Sequence, residues 1–234
     1  MRQLIVAVCL VAAPASAGPC AVRELSPQSM TAPDTVIEDG GGVMISAGLT
    51  DLPSTERLPD VTRQPGWRFR DGTKLVEPTI ETIAPGLSVY RLPATGSNLV
   101  LENDKHVEIS HVKRSADRGA ALLPAPMPTS IEWERRTSFR SSTDLVTVHL
   151  IAPAPAHAAA MIIYGPDKTA RSWGVVTRGG KDVVAYESGG RCSMTIPHTS
   201  ASNVGLHVTV AWVDASGRVS AVSRDMEVTA AKTP

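Results

Sequence analysis

The chain is poor in aromatic residues, which make up 4% of its 234 positions, with only two Phe among them. A broad stacking surface for sugars or bases is excluded on that ground, because such platforms need several exposed rings. An excess of charge is missing too, since 23 basic residues stand against 23 acidic ones. That removes the electrostatic footprint of a nucleic-acid or anionic-membrane binder. Long hydrophobic runs are absent: the apolar stretch over residues 4–13 falls well short of the roughly 20 residues that cross a bilayer as a helix. Uninterrupted helix-forming stretches are scarce as well, because 18 Pro and 18 Gly are spread along the chain. Even the Ala-rich APAPAHAAAM is headed by Pro153 and Pro155 and reads as a turn or loop.

What is present begins with MRQLIVAVCLVAAPASAGPC. Arg2, the apolar run, Pro14 and the small pair Ala15 and Ala17 have the pattern of a secretory signal peptide cleaved after Ala17. The mature chain is then expected to be exported, to the periplasm or the exterior, without membrane insertion. A lipid anchor on Cys20 would want a small residue before it, and Pro19 stands there. Cleavage removes Cys9 and leaves Cys20 and Cys192, whose default in an oxidising compartment is a disulfide, the alternative being two unpaired buried thiols.

The remainder suits two domains of about 100 residues each. The run PAPMP, residues 124–128, reads as a stiff extended linker, which divides the chain into a signal peptide (1–17), an N-terminal β domain (18–123), the linker and a C-terminal sandwich (129–234). In the second half LVTVHLI alternates Val146, Val148 and Leu150 with Thr147 and His149, and Val204, Leu206, Val208, Val210 and Trp212 are apolar at every second position. AMIIYG, DVVAYE, RCSMTI and RDMEVT supply further short strands, and Ile131 with Trp133 opens the series. In the first half GGGVMISAG, PGWRFRDG, LSVYRLPA, NLVLEN and HVEISHVKR alternate in the same way, whereas residues 26–65 read largely as loop.

GLHVTVAWVDASGRVSAVSRDMEV, residues 205–228, resembles the last hairpin of fibronectin type III and related immunoglobulin-like domains, in which an alternating strand ends in a V-D-x-x-G-x-x-S turn. The tyrosine that those families carry early in this strand is replaced by Leu206. PGLSVYRLP followed by LVLEND resembles the late hairpin of bacterial Ig-like modules. The resemblance implies an all-β protein of two Ig-like β-sandwich domains in tandem.

The acidic tip of the final hairpin needs no ligand: Asp214 can cap the backbone two residues on, and Gly217 takes a positive φ at little cost. Calcium would require six or more oxygens, and Arg218 stands close by to repel it. No G-x-S-x-G elbow exists, the nearest being Ser188 in YESGGRC, so a hydrolase with a loop-built site is an alternative that spacing does not support. Glu132 and Glu134 read as a solvated strand face. In CSMTIPH the residues Cys192, Met194 and His198 offer soft ligands for a copper reading, with His149 or His157 upstream, but methionine precedes histidine, against the blue-copper order. Trp67 with Phe69, Trp133 and Trp212 fall on apolar strand faces and read as core. Trp173, in TARSWGVV, is the aromatic left for a partner. The expectation is an exported, non-catalytic binding or structural module that uses no cofactor and meets a protein or envelope component the sequence does not name.

Overall fold

A computed structural model describes residues 27–46, 62–64, 66–115, 121–138, 141–190 and 203–231, and these form strands and turns with no helix among them. The first half contributes β1 (Gln28–Ser29), β2 (Thr35–Ile37), β3 (Gly42–Ser46), β4 (Arg68–Asp71), β5 (Lys74–Val76), β6 (Thr79–Ala84), β7 (Leu87–Arg91), β8 (Asn98–Glu102) and β9 (Glu108–Arg114). They make two sheets, β1-β3-β7-β6 and β2-β9-β8-β4-β5. Neighbours are antiparallel except β2 and β9, which run parallel. Period-2 alternation turns Val43, Ile45 and Tyr90 of one sheet toward Phe69, Leu101 and Val112 of the other. The Tyr90 hydroxyl donates to the Thr62 carbonyl at 2.8 Å and accepts from the Gln64 N–H at 2.7 Å, so the polar end of this buried ring is paired.

One expected hairpin is corrected. LSVYRLPA and NLVLEN become β7 and β8, which do not pair: β7 lies between β3 and β6, and β8 between β4 and β9. Both strands have an apolar face, and the two faces meet across the core, Tyr90 against Leu99 and Leu101. Residues 92–97 carry the chain from one layer to the other, with Gly96 at φ 99° and its carbonyl bound by the Arg114 guanidinium at 3.0 Å.

The second half contributes β10 (Pro128–Ser138), β11 (Ser141–Leu150), β12 (Ala158–Tyr164), β13 (Ala170–Val175), β14 (Asp182–Gly190), β15 (His207–Asp214) and β16 (Met226–Ala230). They follow the ladder β13-β12-β15-β16-β10-β11-β14, parallel only between β10 and β16. This ladder folds over a single core in which Val146, Val148 and Val183 meet Met161, Val210 and Trp212. Its two edge strands come together, because a Cβ on Gly174 of β13 would run into the Val184 backbone of β14. The PAPMP segment lies against this half: Pro126 is buried, Leu123 packs on the core, and Pro128 already belongs to β10.

A third core joins the halves. Every residue of β3 is buried, because while Val43 and Ile45 face the first core, Met44 faces away from it. With Leu87 and Val89 of β7, Met44 packs on Ala160 and Ile162 of β12, Trp173 of β13 and Val213 of β15. Strand β12 is likewise two-sided, giving Met161 and Ile163 to the second core and Ala160 and Ile162 to this seam. The result is four stacked β layers with an apolar core between each adjacent pair. Each large side chain withdrawn from water in the seam contributes about 1.5 to 3 kcal/mol.

Candidate functional site: the hairpin tip and the seam it closes

The tip beyond β15, residues 214–218, is a self-satisfied turn. Asp214 is 4% exposed. Its Oδ1 accepts from the N–H groups of Ser216 and Arg218, each at 2.9 Å, and its Oδ2 accepts from Arg218 Nε at 2.8 Å. Gly217 closes the turn at φ 72°, donating to the Asp214 carbonyl at 2.9 Å. The carboxylate therefore points into its own loop, with a guanidinium on it. Past the tip the chain returns beside β15 through two serine hydroxyls: Ser220 Oγ accepts from the Trp212 N–H at 2.9 Å, and Ser223 Oγ from the Val210 N–H at 3.0 Å. Two serines three apart thus serve two amides two apart.

The same tip docks on the first half of the chain. Ser216 Oγ accepts from the Glu38 N–H at 3.0 Å, and the Ser216 carbonyl accepts from the Gly42 N–H at 2.7 Å. Arg91 Nη1 donates to the Gly40 carbonyl of its own half at 2.8 Å and across the joint to the Gly217 carbonyl at 3.2 Å. The GGG run is what permits this approach. A Cβ on Gly41 would stand 2.6 Å from the Ser216 carbonyl oxygen, and one on Gly42 would strike the Tyr90 backbone. The tip binds a partner after all, and the partner is its own chain.

Trp173, expected on the surface for a partner, is corrected. It is 3% exposed, packs within the seam and donates from Nε1 to the Pro85 carbonyl at 3.0 Å. Its strand is covered on that side by the first half, which local sequence does not reveal. Trp67 and Trp212 are buried in the first and second cores, and Trp133 packs against the second with the Arg135 guanidinium 5.3 Å over its ring.

Charged side chains pair along the outer sheet faces. Glu102 accepts from Arg70 Nε at 2.7 Å and faces His106 Nδ1 at 2.8 Å; Arg70 first, then His106, holds its carboxyl below the ordinary range. His111 lies between Glu108 and Asp34, and His149 between Asp182 at 2.8 Å and Glu132 at 3.5 Å. Glu134 pairs with Arg136, so the two glutamates flanking Trp133 serve separate ion pairs. Arg135 grips Asp144 with two bonds, 2.7 and 2.9 Å. Among the described residues no group of three His, Cys, Asp or Glu is arranged to hold a metal ion. Cys20, Cys192, Met194 and His198, on which the disulfide and copper expectations rest, lie outside the described residues, as does the Ser188 side chain.

Sequence reasoning missed Arg91, Ser216 and Pro85. The only local signal was GGG, three glycines where one would turn the chain.

No protein-family model matches the chain, and no curated protein matches it. Among solved structures the chain is similar to one titled "Biofilm associated protein - BSP domain", at 12% identity and a TM-score of 0.29, over 89% of this chain and 30% of that one. The chain therefore spans about a third of the length of that structure.

Proposed function

We propose that this chain is an exported, non-catalytic module of the bacterial envelope or exterior, in which two Ig-like sandwiches act as one rigid structural or binding unit. The observation that carries the reading is the seam, with Trp173 buried in it and the hairpin tip pinned by Ser216 and Arg91. A joint of that kind fixes the angle between two sandwiches, which suits a spacer or a presenting scaffold. The Ig-like assignment is supported by strand order. In the first half β1-β3-β7-β6 faces β2-β9-β8-β4-β5, and in the second β16 links the two layers, pairing antiparallel with β15 of one and parallel with β10 of the other. The absence of catalysis is supported by the dispersal of acids and histidines into cross-strand ion pairs over sheet faces. Export is supported by the leader-like residues 1–17.

The test is expression in a bacterial host from the full sequence, followed by fractionation and sequencing of the amino terminus. A chain that begins at Gly18 in the periplasm or medium is expected, together with no turnover of ester, amide or glycoside probes. Retention of the uncleaved chain in the cytoplasm, or hydrolysis abolished by a single substitution, overturns the reading.

A further inference from the structure

We propose that His111 is an acid-tightened clamp on the turn by which the chain passes from one sheet of the first half to the other. Strand β1 belongs to the four-stranded sheet and β2 to the five-stranded one, so the intervening residues must cross between layers. The crossing ends at Asp34, a non-glycine residue at φ 61°. That left-handed conformation is tolerated by Asp but is not free. Something must hold it.

Three contacts do so. The Asp34 N–H donates to the His111 carbonyl at 3.0 Å, and His111 Nε2 lies 3.2 Å from Asp34 Oδ2. Lys113 Nζ lies 3.1 Å from Oδ1 of the same carboxylate. The opposite nitrogen of the imidazole, Nδ1, is 2.8 Å from Glu108 Oε1. The ring is thus held between two carboxylates, one at each nitrogen.

A neutral imidazole has one N–H and one lone pair, so between two carboxylates one nitrogen must present its lone pair to an acceptor. The imidazolium donates at both. Protonation therefore converts an opposed contact into an attractive one at the point that holds the crossing. Of the other groups facing His111, Lys113 works against the proton while sharing Asp34. On β8 the residue opposite is the uncharged Val100, and beyond it on β4 lies Arg70, engaged by Glu102. Two carboxylates at hydrogen-bonding range outweigh one ammonium, which bonds the other oxygen of Asp34. Glu108 first, then Asp34, lifts His111 above its ordinary 6.5. The sign follows. A raised folded-state value contributes stability that is fully present below 6.5 and is lost as pH rises through the folded value.

The test is a proton NMR titration of the His111 ring in the full chain, together with melting temperatures across about pH 5.5 to 8.5, the window in which histidine titrates. His111 is expected to titrate above 6.5, each added unit corresponding to about a tenfold change in the folded-to-unfolded ratio across the window. Hydrogen-exchange protection of the Asp34 amide should fall through the same transition. His111→Gln should flatten that part of the pH profile. Asp34→Asn, which keeps a side chain suited to the left-handed backbone, should return the His111 titration toward 6.5. A ring that titrates at or below the ordinary value, or a His111→Gln chain with an unchanged pH slope, overturns the clamp. If His111→Gln fails to fold, the Asp34→Asn titration decides.

Discussion

The indole N–H of Trp173 on β13 donates to the Pro85 carbonyl in the β6–β7 turn at 3.0 Å, so that one hydrogen bond and one buried ring tie the two halves of the chain together. Replacing this ring opens a cavity where two sheets meet, and neither sheet can close it alone. Trp173→Ala should cost about 3 to 5 kcal/mol. Trp173→Phe keeps part of the apolar area and loses the rest together with the donor to Pro85, so a smaller cost of about 1 to 3 kcal/mol is expected. Urea unfolding followed by circular dichroism orders the two variants. Equal and small losses would show that the ring is not buried in solution.

A shared core also predicts how the protein melts. Because β3 and β12 each give side chains to two cores, neither half can unfold without exposing part of the other. The full chain should melt in one transition, with equal calorimetric and van't Hoff enthalpies. Two resolved transitions would mean that the halves are independent beads.

Gly217 combines two constraints that can be separated by substitution. Its φ of 72° is left-handed, and a Cβ there would stand 2.9 Å from both Val89 methyls and 3.1 Å from Met44 Cγ. Gly72 shares the conformation, at φ 59°, with nothing within 4 Å. Gly72→Ala should therefore cost only the backbone term, about 1 to 2 kcal/mol. Gly217→Ala should add about 1 to 3 kcal/mol for overpacking the seam. Chemical denaturation of both variants measures the difference, and equal losses would remove the tip from its seat.

The strands were legible and the way they stack was not. Alternation in LVTVHLI and GLHVTVAW marked one buried face on each, and the core residues Val148, Val210 and Trp212 follow from it. GVMIS reads as alternating and AMIIYG as one more short strand, yet both are nearly continuous apolar runs, which is how strands buried on both faces read. The seam goes unread because alternation assigns each strand a single buried face. Trp173 was misplaced for the same reason, since its cover comes from Pro85, Leu87 and Val89, more than eighty positions earlier. LSVYRLPA and NLVLEN showed two adjacent strands correctly, but their apolar faces could be satisfied equally by pairing or by facing each other across a core. The partners of Ser216, and the Asp34 partner of His111, lie far away in the chain, and no local pattern encodes them.

Acid should weaken the first half through Glu102. This buried carboxylate, on the outer side of β8, is held below its ordinary 4.5 by Arg70 first and His106 second. A lowered folded-state value contributes stability that is fully present above the unfolded value and is lost as pH falls through the folded one. Glu102→Gln keeps the shape and removes the charge, leaving the Arg70 guanidinium beside a neutral amide. The variant should melt lower than the parent near neutrality, and the gap should narrow as pH falls below 4.5 toward the lowered folded-state value. Melting temperatures taken from about pH 7 down to pH 3 check this. Parallel curves over that range would show that the charge on Glu102 does not stabilise the fold, and that its burial is supported by packing alone.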